Sequence, residues 1–202
     1  MIKKLSIITP VYNQEELIIR CLDSIPPRDD IEIIVIDDAS TDNTYNNVKE
    51  YMKTHKNIVL LQNKTNKGVG YSVNKGLDNA TGEYVGMIGS DDYFYTKEFE
   101  EIIKSELNGM DLIYYDLRTN DGTMFKLTQE SKVGFCGSVK FMRRDFIGDT
   151  RCPEIRAGED WYFYQELLKK NPTEIFTHVI MKHYNFPREN SLSDLQRKGE
   201  IK

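Results

Sequence analysis

Apolar residues along the first hundred positions come in short, nearly continuous runs: "LSIITP" (5–10), "IEIIVID" (31–37), "IVLLQN" (58–63) and "EYVGMIG" (83–89). β-Branched runs of this length suit strands covered on both faces, as in a parallel sheet. Between them, "NQEELIIRCLDSI" (13–25), "DNTYNNVKEYMKTH" (42–55) and "VGYSVNKGLDNA" (69–80) carry helical periodicity. Asn13 and Asp42 are placed as N-caps, and Asn79 with Gly82 brackets the third stop. Strand, helix, strand at this spacing predicts βαβ units.

After residue 95 the pattern changes. It predicts a helix over 97–107, a strand over 111–118, and a hairpin through "NDGT" into "MFKLT" (124–128). Strand character follows over 134–147, then an aromatic-rich helix over 157–170 and a last strand over 174–184. The reading is one domain over 1–202: a nucleotide-type first half (1–95), a mixed second half (96–193) and a polar tail (194–202). The fold class expected is α/β, a Rossmann-like, mostly parallel sheet with helices on both faces and a mixed C-terminal portion.

At 202 residues, 39% hydrophobic and 29% charged, the chain can bury a sizeable core. No apolar run reaches the roughly 20 residues needed to span a bilayer. The N-terminus lacks a secretory cleavage pattern, so a cytoplasmic location is expected. Cys21, Cys136 and Cys152 are too widely spaced for a metal knuckle or a disulfide framework. A net charge of −5 offers no global basic field for nucleic acid.

In an open parallel sheet, ligands bind outside the carboxyl ends of the strands. Four loops fall there: "TPVYN" (9–13), "DDAST" (37–41), "NKTNKG" (63–68) and "GSDDYF" (89–94). Each alone could be an ordinary polar loop. Together they put Asp37, Asp38, Asp91 and Asp92 on one rim, where like charges need a cation or several donors among them. A divalent metal carrying a phosphate is the simplest answer, and Mg²⁺ or Mn²⁺ suits such oxygen ligands. There is no Walker A lysine loop, and no GxGxxG follows strand one. "GVG" (68–70) opens a helix and offers backbone N–H groups.

"SIITPVYN", "IIVIDDASTDNT", "NKGVGYSVNKGL" and "GEYVGMIGSDDYF" resemble, in order and spacing, the nucleotide-binding half of family-2 glycosyltransferases of the GT-A fold. "AGEDWYFYQEL" is similar to their Glu-Asp motif and "YNFPRENSLS" to their C-terminal segment. The resemblance implies an inverting transferase that uses a sugar nucleotide, a hydroxyl-bearing acceptor (carbohydrate, lipid-linked or macromolecular) and a divalent cation. It implies that Asp38 bonds the base, with uridine favoured, and that Asp37 supports it. Thr9, Pro10 and Tyr12 would line that pocket, and Asn66, Gly68 and Asn74 would belong to the nucleotide site. Asp92 would hold the metal and Asp91 the ribose, both sharing the metal corner. Asp160 would be the base, with Glu159 beside it.

Two departures stand out. Gly89 occupies a position that many relatives fill with an acid, and Pro187 one where a histidine is common. His183 or Arg188 would then contact the diphosphate. Arg143 and Arg144 could also reach it. Trp161, Tyr162, Phe163 and Tyr164 cannot all face inward on a helix, and Trp161 is the candidate to stack on an acceptor sugar. A pyrophosphorylase is a weaker alternative, because "TPVYNQEE" is neither Gly-rich nor basic. A catalytically degenerate sugar-nucleotide-binding module is a second alternative.

Overall fold

The computed structural model describes residues 3–132, 138–155, 157–188 and 198. Four parallel strands form its first half: β1 (Leu5–Val11), β2 (Ile31–Asp37), β3 (Ile58–Gln62) and β4 (Tyr84–Met87). Their connections carry α1 (Ile18–Asp23), α2 (Thr44–Tyr51) and α3 (Val69–Asn79). The second half adds β5 (Tyr93–Phe94), α4 (Thr96–Ser105), β6 (Leu112–Thr119), β7 (Met124–Phe125) and β8 (Lys140–Arg143). It closes with α5 (Arg144–Ile147), α6 (Glu159–Leu168) and β9 (Glu174–Tyr184).

Among the described residues one nine-stranded sheet crosses both halves in the order β3-β2-β1-β4-β8-β6-β9-β5, with β7 on β6. β8 runs antiparallel to both β4 and β6, whereas β9 lies parallel to β6. The apolar runs behave as their pattern predicts. β2 is buried along its whole length, because helices cover both faces.

α3 sets which face is which. A Cβ on its Gly76 would meet Ile8 Cγ2 at 2.5 Å and Ile36 Cδ1 at 3.1 Å, so only glycine lets the helix sit this close. Ile8 and Ile36 therefore face α3. By strand alternation Pro10 and Asp38 share that side, while Thr9 and Asp37 point to the other.

Several boundaries differ from expectation. The first helix begins at Ile18 rather than near residue 13. Asn13, at φ 50°, does not cap it; its Oδ1 accepts from the Thr41 N–H at 2.8 Å and braces the loop after β2. Asn43 takes the cap position of α2, although Asp42 Oδ1 still accepts from the Thr44 N–H at 3.0 Å. The expected hairpin strand shrinks to β7, and β5 was hidden in a stretch read as loop. Cys136 and the polar tail, apart from Lys198, lie outside the described residues; Cys21 and Cys152 are buried free thiols.

Candidate active site

The carboxyl ends of β1 to β4 form the expected rim, and its carboxylates are engaged in two different ways. Asp38 is 4% exposed and almost saturated by uncharged donors. Its Oδ1 accepts from Asn63 Nδ2 and from the Lys67 N–H, each at 2.8 Å, and its Oδ2 from the Gly68 N–H at 2.8 Å. These bonds lock the loop from Asn63 to Gly68 against β2. A carboxylate has about four acceptor sites, so one site on Oδ2 remains for a ligand. Pro10 shares the Asp38 side of the sheet, and the alternation extends to Tyr12, which is exposed at the rim. Asn66 is exposed on the locked loop, and Gly68 holds φ 88° with open space where a Cβ would be.

Thr9 and Asp37 do not join that pocket through their side chains. Both are fully buried on the opposite face of the sheet. Asp37 Oδ2 accepts from Gln62 Nε2 at 3.0 Å and from the Ser40 N–H at 3.2 Å, while Asp37 Oδ1 and Thr9 Oγ1 are buried without hydrogen-bond partners among the described residues. Asn74 is also withdrawn from the nucleotide. Its Nδ2 donates to the Cys152 carbonyl and its Oδ1 accepts from the Cys152 N–H, both at 2.8 Å. This reciprocal pair clamps α3 to the segment that leads into α6.

At the end of β4 the partners are cations. Asp92, 2% exposed, has Oδ2 at 2.7 Å from Lys182 Nζ, and its Oδ1 accepts from the Asn185 N–H at 2.8 Å. Lys182 also donates to Ser138 Oγ. Both Asp92 oxygens are thus committed inside the protein. Asp91 Oδ2 lies 3.0 Å from Arg188 Nη2, and Arg20 Nη2 donates to the Asp91 carbonyl at 2.6 Å. Burial, with the Asp92 charge adding to it, holds the Asp91 carboxyl above the usual carboxylate range despite Arg188. Gly89 is tightly enclosed: a Cβ would stand 2.9 Å from Asp91 Oδ1 and 3.1 Å from Asp92 Oδ2. An acid at this position would add a third negative charge beside the pair.

His183 sits in β9 opposite Tyr93, stacked on its ring at 4.5 Å. Its Nε2 pairs with Asn120 Oδ1 at 2.9 Å, and burial lowers its pKa. It is a strand residue stacked among aromatic rings, and Arg188 rather than His183 is the cation beside Asp91. Arg143 and Arg144 are at the other end of the sheet, bonded to Asp111 and to the Gly82 carbonyl. Lys182 and Arg20, which complete the corner, were missed in the sequence. A buried lysine on an apolar strand is the signal that points to Lys182.

Glu159 and Asp160 open α6 after Gly158, at φ 81°. Gly70, in the first turn of α3, admits them. Its absent Cβ would lie 2.8 Å from the Pro153 carbonyl and 3.3 Å from Glu159 Cβ. Burial pushes the Glu159 carboxyl up to about 7, with Asp160 contributing. Asp160 Oδ1 accepts from the Trp161 N–H at 2.8 Å, which fixes that carboxylate at the helix start. Phe163 and Tyr164 are buried while Trp161 and Tyr162 face out, which resolves the aromatic run. Among the described residues no three acidic, His or Cys side chains converge as a ready metal cage.

Comparisons with known proteins agree with this architecture. The family model "Glycosyl transferase family 2" matches residues 6–152. The poly(ribitol-phosphate) beta-glucosyltransferase of Bacillus spizizenii is 33% identical over 181 residues, which cover 79% of this chain and 28% of that protein. Staphylococcus aureus TarS 1-349, solved with UDP-GlcNAc, superposes with a TM-score of 0.79 at 23% identity, covering 93% of this chain and 60% of that one. The mannosyltransferase PcManGT of Pyrobaculum calidifontis, solved with GDP-Man and Mn²⁺, gives 0.76 at 19%, covering 98% and 61%. The chain thus spans 28% of the length of its glucosyltransferase relative and about three fifths of these solved chains. No helix among the described residues is long and apolar enough to cross a membrane. With a GT-A sheet, its rim of aspartates and a family match over most of its length, the chain belongs to glycosyl transferase family 2.

Proposed function

We propose that the protein transfers a sugar from a nucleotide-diphosphate donor, a UDP-sugar, to a hydroxyl of a carbohydrate or polyol acceptor, with inversion at the anomeric carbon. The observation that carries this reading is the meeting of two carboxylate sets across α3. The Asp38-locked loop leads into the helix whose Gly70 accommodates Glu159. The names of similar proteins support a UDP donor and a polyhydroxylated acceptor.

The nucleoside would lie against Pro10, Tyr12 and the exposed edge of the Asn63–Gly68 loop, with the remaining Asp38 site taking a base N–H. Among the described residues, one of the two adjacent aspartates fits a divalent cation. Asp92 is 2% exposed and its charge is neutralised by Lys182, so the ligand assignment moves to Asp91, which is 21% exposed at its side chain beside Arg188 at 32%. Mg²⁺ or Mn²⁺ held by one carboxylate and completed by phosphate oxygens is a common arrangement. Such an ion would supply charge for the departing diphosphate. Arg188, released from Asp91, would bind a phosphate oxygen. Asp160 would take the acceptor proton from the face opposite the leaving group, and a single base so placed gives inversion.

The test is UDP release from UDP-glucose and UDP-GlcNAc with Mn²⁺. Asp160→Asn should lower turnover about 10²–10⁴-fold while leaving UDP affinity intact. A protein that binds UDP yet turns over neither donor would instead be a degenerate binding module.

A further inference from the structure

β6 and β9 run parallel with Thr119 opposite Tyr184, so the turn after β6 emerges beside the strap, residues 183–188, that leaves β9. That turn holds its own shape. Asp121 Oδ1 accepts from Thr119 Oγ1 at 2.6 Å and from the Thr123 N–H at 3.0 Å. Gly122, at φ 85°, donates its N–H to the Thr119 carbonyl at 3.0 Å. From this platform Asn120 reaches across with its backbone and both ends of its amide. Its N–H donates to the Phe186 carbonyl at 3.1 Å. Its Nδ2 donates to Asn185 Oδ1 at 2.9 Å and to the Pro187 carbonyl at 3.3 Å, while its Oδ1 meets His183 Nε2 at 2.9 Å. A carbonyl can only accept, so Nδ2 must face Pro187 and the orientation of the amide is fixed. His183 Nε2 is then the protonated nitrogen, and Nδ1 accepts from the Tyr95 hydroxyl at 3.3 Å.

The gripped residues sit between the two cations of the aspartate corner. Lys182 pairs with Asp92 just before them, the Asn185 N–H bonds Asp92 from among them, and Arg188 meets Asp91 just after them. Asn120 is itself exposed, so its bonds do not serve to complete a core. We propose that Asn120 is a positioning residue for the transfer: it holds the strap in the register that delivers Arg188 to the donor diphosphate. The inference rests on the transferase reading above. A guanidinium binds phosphate well when its planar fork arrives in the right geometry. Ordering a loose segment at that moment would weaken binding, and a strap fixed beforehand avoids the loss. Arg188 then exchanges Asp91 for a phosphate oxygen by moving its side chain alone.

The experiment measures UDP and uridine binding by calorimetry, with Mn²⁺, for wild type, Asn120→Ala, Arg188→Ala and the double variant. Uridine carries no phosphate, so it reports on the nucleoside pocket alone. Asn120→Ala should weaken UDP binding about tenfold, the equivalent of one or two net hydrogen bonds, and leave uridine binding unchanged. In the Arg188→Ala background the same change should weaken UDP binding by less than about twofold further, because the residue it positions is gone. Asn120→Leu, uncharged and of similar volume, gives the same comparison if Asn120→Ala does not fold. UDP binding that survives the loss of Asn120, an equal loss for UDP and uridine, or losses that add in the double variant would overturn the proposal. Where uridine binds too weakly to titrate, the double variant decides. A wild type that does not bind UDP ends the donor reading and this inference with it, whereas Asn120 variants that bind UDP as the wild type does end this inference alone.

Discussion

Asp38 and the Asp91–Asp92 pair stand on the same rim, yet their negative charge is handled in opposite ways. Around Asp38 the partners are two backbone N–H groups and an asparagine amide. Around Asp91 and Asp92 they are Arg188, Lys182 and one backbone N–H. Neutral donors fix a shape without offsetting the charge of a bound diphosphate, which suits a loop that meets a nucleoside. Cations can change partners when a metal or phosphate arrives. Within this second corner the two aspartates diverge again. The Asp92–Lys182 pair is fully desolvated and structural, whereas Asp91–Arg188 retains about a fifth to a third of its side-chain exposure.

Breaking the fixed pair should have the largest effect. Lys182→Met leaves the Asp92 charge buried without its partner, and losing one member of such a pair costs about 3–5 kcal/mol. Urea denaturation should show that loss, and a cost below about 1 kcal/mol would mean Asp92 is better solvated than its burial indicates. Next comes the neutral clamp. Asn74→Ala removes both bonds to Cys152, each at 2.8 Å, at about 1–3 kcal/mol for the groups left unsatisfied. Its kinetic signature should be a fall in kcat with little change in the KM for donor, because the clamp registers Glu159 and Asp160 rather than touching nucleotide. A rise in KM alone would return Asn74 to the nucleotide site. The smallest effect is on pH dependence. Glu159 rises from its usual 4.5 to about 7 on folding, so its neutral form is favoured. Its stabilising contribution is full below 4.5 and lost as pH rises through about 7. Glu159→Gln should flatten that stretch of the melting-temperature profile, and an unchanged profile would place Glu159 in solvent.

The first half was legible because its strands are unbroken apolar runs and its loops are short. β1 to β4 fall where the pattern puts them. What the pattern missed depends on partners distant along the chain. Asn13 looked like a cap because it precedes a helical run, but its true partner is Thr41. Thr9 and Asp37 were grouped with their neighbours Pro10 and Asp38, although strand alternation turns adjacent residues to opposite faces. Asn74 lies on the helix that follows the Asn63–Gly68 loop, and only the fold reveals Cys152 against it, 78 positions away. The adjacency of Asp91 and Asp92 was visible, but which one turns inward was not. That depends on Lys182 and on Asn185, 93 positions further along the chain. β5, two residues long, is below what periodicity can detect.

The central claim is that Asp91, and not its buried neighbour, is the carboxylate that meets the metal and the diphosphate. Calorimetric titration of UDP into wild type and Asp91→Asn, with and without Mn²⁺, tests it most directly. The account expects Mn²⁺ to tighten UDP binding to the wild type and to have no effect on the variant, with both proteins equally folded. Metal-enhanced binding that survives in Asp91→Asn, or a wild type that binds UDP equally well without Mn²⁺, would contradict it.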